Sequence, residues 1–169
     1  RVASRLNGTL AGNVDLHLLH GMLAGELQDA AIASPPPGRR KIVLATNIAE
    51  TSLTIDGVTV VIDSGLARVP TFSPRTGMTR LETVRISRSS ADQRAGRAGR
   101  LAPGRCIRCW TAMEDAALQS GTRAEMLDAD LASLVLELAA GGWYDPAELP
   151  WLDPPPAAAW QSGQSLLTD

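Results

Sequence analysis

The sequence predicts an α/β lobe, a largely parallel sheet with flanking helices and a projecting β-hairpin, followed by short helical segments. Three observations carry this expectation. Short apolar runs at residues 14–19, 41–46 and 58–63, with 106–111 as a fourth, have the length and branching of buried strands. Helical patterns at 23–32 and 89–100 stand between them, and strands that alternate with helices build a parallel sheet through crossovers. Between Arg68 and Ile86, alternating polar and β-branched residues flank Pro74-Arg75-Thr76-Gly77, the pattern of a hairpin.

Taken in order, the elements are punctuated clearly. Pro35-Pro36-Pro37-Gly38 ends the first crossover. About five to seven strands, an ordinary sheet size, fit within residues 1–115, and the core closes near Thr111. Leu127, Leu131, Leu134, Val135 and Leu138 then form one apolar stripe of a helix that needs a partner, and Gly141-Gly142 stops it. A proline-rich loop through Pro146, Pro150 and Pro154-Pro155-Pro156 leads to a last helical pattern at 157–167, too little for an independent domain.

With 169 residues the chain holds one full domain and a piece of another. No stretch approaches the roughly 20 apolar residues of a membrane span, and the chain opens without Met or an apolar signal core. It therefore reads as a segment of a longer cytoplasmic protein, with which two reduced cysteines agree. Cys106 and Cys109 form a lone C-x-x-C, with His17 and His20 remote, so structural thiols are expected rather than a zinc site; His20 receives no chemical role. The net charge of −2 hides an asymmetry: ten Arg stand against Glu82 and Asp92 between Arg68 and Arg108, and Arg123 alone faces ten acids from Cys109 onward. A locally basic face of this kind attracts a polyanion. Trp110, Trp143, Trp151 and Trp160 sit in apolar settings that point to packing rather than to base stacking.

The strongest chemical signal is Ser89-Ser90-Ala91-Asp92-Gln93-Arg94-Ala95-Gly96-Arg97-Ala98-Gly99-Arg100. Ser90 with Gln93 has capping-box spacing, so a helix starts there. Gln93, Arg97 and Arg100 fall at i, i+4 and i+7, which puts one amide and two guanidiniums on one face. Two glycines in a helix each cost about 1 kcal/mol against alanine, so the close approach of another backbone or of a nucleotide is expected there.

Residues 93–100 resemble motif VI of the DEAH/RHA helicases of superfamily 2. Ala45-Thr46-Asn47-Ile48-Ala49-Glu50-Thr51-Ser52-Leu53-Thr54-Ile55-Asp56-Gly57 resembles that family's motif V, and Leu19-His20-Gly21-Met22-Leu23 its stretch after motif IV. Pro74-Arg75-Thr76-Gly77 is similar to the family hairpin, and Trp151-Leu152-Asp153-Pro154-Pro155-Pro156 to a turn of its winged-helix domain. The resemblance implies a second RecA-like lobe of P-loop NTPase type over residues 1–115. A linker and the truncated N-terminal part of a winged-helix domain follow over 116–169. It implies an ATP-dependent helicase, RNA being the first expectation for its substrate and 3′→5′ its direction. The implied cofactors are ATP with Mg2+; the implied partners are single-stranded nucleic acid, RNA or DNA, and a first RecA-like lobe in cis, with no membrane.

Position by position, the resemblance makes Gln93, Arg97 and Arg100 catalytic, Arg100 as the arginine finger. Asp56, Arg97 and Arg100 bind nucleotide; Thr46, Asn47 and Thr54 hold the nucleic-acid backbone; no residue is a metal ligand. Phosphoryl transfer is catalysed mainly by positioned charge, which suits two guanidiniums, and small hydroxyl and amide groups suit phosphate and sugar. Relatives place an aromatic residue for the base where Ile32-Ala33 stands here. The chain contains no G-x-x-x-x-G-K-[ST] loop and no Asp-Glu-x-His, so it carries half of an ATP site and is not expected to be an ATPase alone. A translocase that does not unwind, or a nucleic-acid-binding module without catalysis, stays open at this point.

Overall fold

The computed structural model describes residues 2–51, 53–73, 75–100 and 102–167. In chain order it contains α1 (Val2–Asn7), β1 (Val14–Leu19), α2 (Gly25–Ile32), β2 (Arg40–Ala45), α3 (Ile48–Thr51), β3 (Val60–Asp63), β4 (Leu66–Ser73), β5 (Met78–Arg85) and α4 (Arg88–Gly96). A 3₁₀ turn (Arg97–Gly99), β6 (Arg105–Arg108), α5 (Ala112–Ala116), α6 (Ala132–Ala140) and α7 (Ala157–Ser165) follow, with short 3₁₀ turns at Glu125–Leu127 and Pro146–Glu148. Of the motif residues, Ser52 and Pro74 lie outside the described residues, as do the chain ends.

The chain divides into two compact units, residues 1–67 with 85–121, and residues 68–84 with 122–169. In the first unit β1 pairs in parallel with β2, Val14 opposite Arg40, and β3 in parallel with β6, Val60 opposite Arg105. Parallel neighbours need a crossover: α2 supplies it between β1 and β2, and α4 lies on the return from β3 to β6. The largely parallel α/β architecture expected from the sequence is thus present. Among the described residues the strands pair as β1 with β2, β3 with β6 and β4 with β5.

The strands are also less buried than their apolar runs suggest. On β3, Val61 and the buried Asp63 turn one way while Val60 and Ile62 are exposed, and Ile107, opposite Ile62 on β6, is exposed with them. Alternate residues thus occupy a face that no described residue covers. Among the described residues, Leu19, Ala31, Ile86, Ala91 and Ala98 are the buried apolar residues of this unit. Gly104 shows how closely β6 approaches the 3₁₀ turn: a Cβ there would lie 1.8 Å from the Ala98 carbonyl oxygen, which no side chain could share.

In the second unit, residues 74–77 join β4 to β5, a link too short for a crossover, so the pair is an antiparallel hairpin. Its residues 68–84 group with the C-terminal helices, where the Phe72 amide donates to the Asp128 carbonyl at 2.9 Å. The apolar stripe expected over 127–138 finds its partner in α7: Leu131, Val135, Ala159 and Trp160 form a buried cluster, and a Cβ on Gly163 would touch Val135 at 2.9 Å. The α-helix starts only at Ala132, where Asp130 Oδ1 accepts its amide at 3.0 Å, so Leu127 belongs to the preceding 3₁₀ turn. Trp160 packs as expected and Trp110 and Trp151 are half-buried, but Trp143 is exposed beyond the helix stop at Gly141-Gly142. No described helix is long and apolar enough to cross a membrane.

Candidate functional site

The helix that carries the arginines starts earlier than its sequence signature says. Its N-cap is Ser87, whose Oγ accepts the Ser90 amide at 3.2 Å, and not Ser90 with Gln93. Ser90 is buried instead and donates its hydroxyl to Glu50, which leaves Gln93 exposed. Past Gly96 the helix tightens into the 3₁₀ turn Arg97–Gly99, and Arg100 continues in helical conformation. Neither glycine is explained by packing: a Cβ on Gly96 or Gly99 would meet nothing within 4 Å. The backbone approach expected there does not come from the described residues.

Gln93, Gly96, Arg97 and Arg100 line one open depression of about 320 Å³, together with Glu50 from α3. The i, i+4, i+7 face read from the sequence is therefore real. Arg97 is anchored on α3 and the segment after it: its Nε and Nη2 donate to the Glu50 carbonyl, Nε at 3.1 Å, and Nη1 donates to the Leu53 carbonyl at 2.7 Å. A cation suits the carbonyl end of a helix. A guanidinium has five N–H donors, so Arg97 keeps further N–H groups for the depression. Burial first, then the charge of Arg100, push the Arg97 guanidinium below its ordinary value, with Glu50 opposing. Arg100 donates through Nη1 to Thr54 Oγ1 at 2.7 Å. Two like charges beside an open depression repel each other, and an anion placed between them relieves that repulsion.

The other expected residues lie apart from this depression. Thr46 and Asn47 are exposed where β2 ends; the Thr46 amide donates to the Leu19 carbonyl at 3.0 Å, and the Asn47 carbonyl accepts the Glu50 amide at 2.9 Å to start α3. Asp56 occupies an exposed turn whose amide donates to the Ile32 carbonyl at 3.1 Å. Its charge acts on Lys41, which burial pushes below its ordinary value while its Nζ donates to the carbonyls of Ala31, at 2.8 Å, and Ala33. Thr54 alone of these residues is joined to the arginine face.

Sequence reasoning missed a second set. Arg94 is 16 % exposed and bridges two carboxylates, Glu50 Oε2 at 3.0 Å and Asp63 Oδ1 at 2.9 Å, and also donates to the Leu66 carbonyl at 3.2 Å. The Asp63 side chain is 1 % exposed; its Oδ1 also accepts the Gly65 amide at 2.9 Å. The available signal was Asp63 itself, an acid ending an apolar strand, because a buried carboxylate requires a cation.

Of the ten arginines between Arg68 and Arg108, Arg85, Arg88, Arg94 and Arg108 are ion-paired with acids of the chain, which leaves fewer to meet a polyanion than their count suggests. Arg85 pairs with Glu114, Arg88 with Asp115 at 3.7 Å, and Arg108 with Asp92 at 2.6 Å and Asp115 at 2.8 Å. Trp110 donates its Nε1 proton to Asp115 at 2.9 Å and lies under Arg108, 5.6 Å from guanidinium carbon to ring centre. That Trp110 bond, followed by Arg108, holds the Asp115 carboxyl below the usual carboxylate range. A depressed folded value contributes stability that is present above the unfolded value, about 3.9, and is lost as pH falls through the folded one. Asp115→Asn is therefore expected to flatten the acid side of a plot of Tm against pH; an unchanged slope below about pH 4 would refute this. Cys106 and Cys109 are free thiols, Cys106 pushed up by burial, and no three His, Cys, Asp or Glu among the described residues are grouped to hold a metal ion.

Comparison with known proteins identifies the family of the chain. Residues 2–102 match the family described as helicase conserved C-terminal domain. The chain is 44 % identical over 167 residues to the ATP-dependent RNA helicase HrpB of Escherichia coli (strain K12), covering 99 % of this chain and 21 % of that protein. It is 44 % identical over 150 residues, 88 % of this chain and 8 % of the relative, to the chloroplastic ATP-dependent RNA helicase DEAH12 of Arabidopsis thaliana. The probable ATP-dependent RNA helicase DHX34 of Homo sapiens is 40 % identical over 151 residues, covering 89 % of this chain and 13 % of that protein. A crystal structure of the Escherichia coli DEAH/RHA helicase HrpB superimposes with a TM-score of 0.93 at 44 % identity, over 99 % of this chain and 21 % of that one. The chain thus spans about a fifth or less of the length of these relatives. With its arginine helix, its parallel strand pairs and these matches, the chain belongs to the helicase conserved C-terminal domain family, in its DEAH/RHA branch.

Proposed function

We propose that this chain works as the second RecA-like lobe of a cytoplasmic ATP-dependent RNA helicase, closing on a nucleotide held by a first lobe of the same protein. Residues 1–115 form that lobe in this reading, and 116–169 a linker and the opening of a winged-helix domain. The observation that carries it is the convergence of Gln93, Arg97 and Arg100 on one open depression, with two guanidiniums close enough to repel. Such a site stabilises charge that develops on a transferring phosphoryl group. Arg100 leaves Thr54 to reach the γ-phosphate, Arg97 contributes the N–H groups its carbonyl bonds leave over, and the Gln93 amide places the attacking water. Thr46, Asn47 and Thr54 hold the backbone of single-stranded nucleic acid, and Asp56 touches the nucleotide. The ligands of Mg2+ are supplied mainly by the first lobe in this reading. Thr54 thus serves two neighbours, the finger and the strand.

The chain alone, without a phosphate-cradling loop or the Asp-Glu-x-His acids, is expected to hydrolyse no ATP. The full-length protein is expected to hydrolyse it and to be stimulated by single-stranded RNA. A steady-state phosphate-release assay on both proteins, with and without an oligonucleotide, decides the matter. Turnover by the chain alone, or an inert full-length protein, would overturn the reading.

A further inference from the structure

The arginine helix carries two side-chain stripes, each with spacing i, i+4, i+7. Gln93, Arg97 and Arg100 face the depression; Ser90, Arg94 and Arg97 all bind Glu50. Arg97 belongs to both. The Glu50 carboxylate accepts from the Ser90 hydroxyl and from Arg94 Nε at 3.0 Å, while the Glu50 carbonyl accepts from Nε and Nη2 of Arg97. Glu50 stands in α3, a helix of only four residues, too short to fix its own carbonyls by internal bonds. The grip on its side chain ties Glu50 to the arginine helix, and behind it Arg94 is held by the Asp63 carboxylate at 2.9 Å.

We propose that Glu50 is a positioning residue for phosphoryl transfer: its carboxylate locks α3 to the arginine helix so that its own carbonyl aims the Arg97 guanidinium at the depression. This rests on the phosphate-facing reading of Arg97. Glu50 touches no reacting atom in this scheme. Losing its charge lets Arg97 wander, which lowers the fraction of bound nucleotide that meets the correct geometry and so acts on kcat more than on KM.

The test is steady-state ATP hydrolysis by the full-length protein with saturating single-stranded RNA, in Glu50→Gln, Arg97→Ala and the double variant, beside thermal unfolding of each. Glu50→Gln keeps the size of the side chain and weakens only charge-assisted bonds, so kcat is expected to fall about tenfold to a hundredfold with KM for ATP within about twofold. Glu50→Asp, which keeps the charge on a shorter stem, recovers part of the loss. In the Arg97→Ala background Glu50→Gln costs nothing more, because the residue through which it acts is gone. Wild-type kcat in Glu50→Gln, a multiplicative loss in the double variant, or a loss that tracks unfolding at the assay temperature would each overturn the proposal. If Glu50→Gln does not fold, Ser90→Ala, which removes one partner of the carboxylate, must show a smaller loss with the same dependence on Arg97. Wild-type kcat in Arg97→Ala would instead bring down the phosphate-facing reading itself, so the two failures are distinguishable.

Discussion

Replacing Arg100 by alanine in the full-length protein is expected to lower kcat for ATP by about 10³–10⁵, with a much smaller change in ground-state nucleotide binding. The expectation follows from where Arg100 stands. It is exposed at the rim of the depression and, among the described residues, held by a single hydrogen bond, to Thr54 Oγ1 at 2.7 Å, whereas Arg97 is held by two carbonyls. A group held by one neutral hydroxyl is released at little cost when a phosphoryl group arrives. Its charge then acts where negative charge accumulates in the transition state and water has been excluded. Lysine is expected to rescue poorly, since an ammonium cannot span two phosphate oxygens as a planar fork does. Steady-state kinetics with and without a single-stranded oligonucleotide provide the measurement, and wild-type kcat in Arg100→Ala would remove the finger assignment.

Arg94→Ala is expected to destabilise the chain by about 3–5 kcal/mol, in addition to any effect on chemistry from releasing the Glu50 carboxylate. The carboxylate of Asp63 would remain with its side chain 1 % exposed and its Oδ2, already without a described hydrogen-bond partner, joined by an Oδ1 that keeps only the Gly65 amide. An unpaired buried charge costs far more than the pair contributes. Adding Asp63→Asn to Arg94→Ala should therefore return part of the stability, the sign of a pair rather than of two independent sites. Urea denaturation of the four proteins in the cycle gives both numbers. A loss below about 1 kcal/mol, the level of an exposed ion pair, would show that Asp63 is better solvated than its burial indicates.

Local pattern carried much of the architecture. Apolar runs of strand length, the hairpin flanks and the i, i+4, i+7 spacing each describe a neighbourhood of fewer than about twenty residues, and in each the chain's own chemistry decides. The boundaries slipped where two local signals competed: Ser87, Ser89 and Ser90 can all cap, and the burial of Ser90 against Glu50 settled the contest in favour of Ser87. Contacts between distant residues were not legible. Arg94 reaches Glu50 over 44 positions and Asp63 over 31, and Arg85 reaches Glu114 over 29, so charges that looked free in the sequence are neutralised in space. Which strands pair was equally hidden, because an apolar run states that a strand wants neighbours and not which strands they are.

Gly96 has an implication for anyone who would improve this chain as a folded object. Its backbone is helical, with φ at −61°, and the space beside it is empty. Alanine would fit there without strain and would favour the folded state by up to about 1 kcal/mol. Yet Gly96 forms part of the wall of the arginine depression, so the same methyl group would stand where a bound molecule has to come closest. Selection for heat resistance alone, applied to this lobe in isolation, would therefore drift toward sequences that melt later and close their own binding face. Durability and usefulness pull in opposite directions at this one α-carbon.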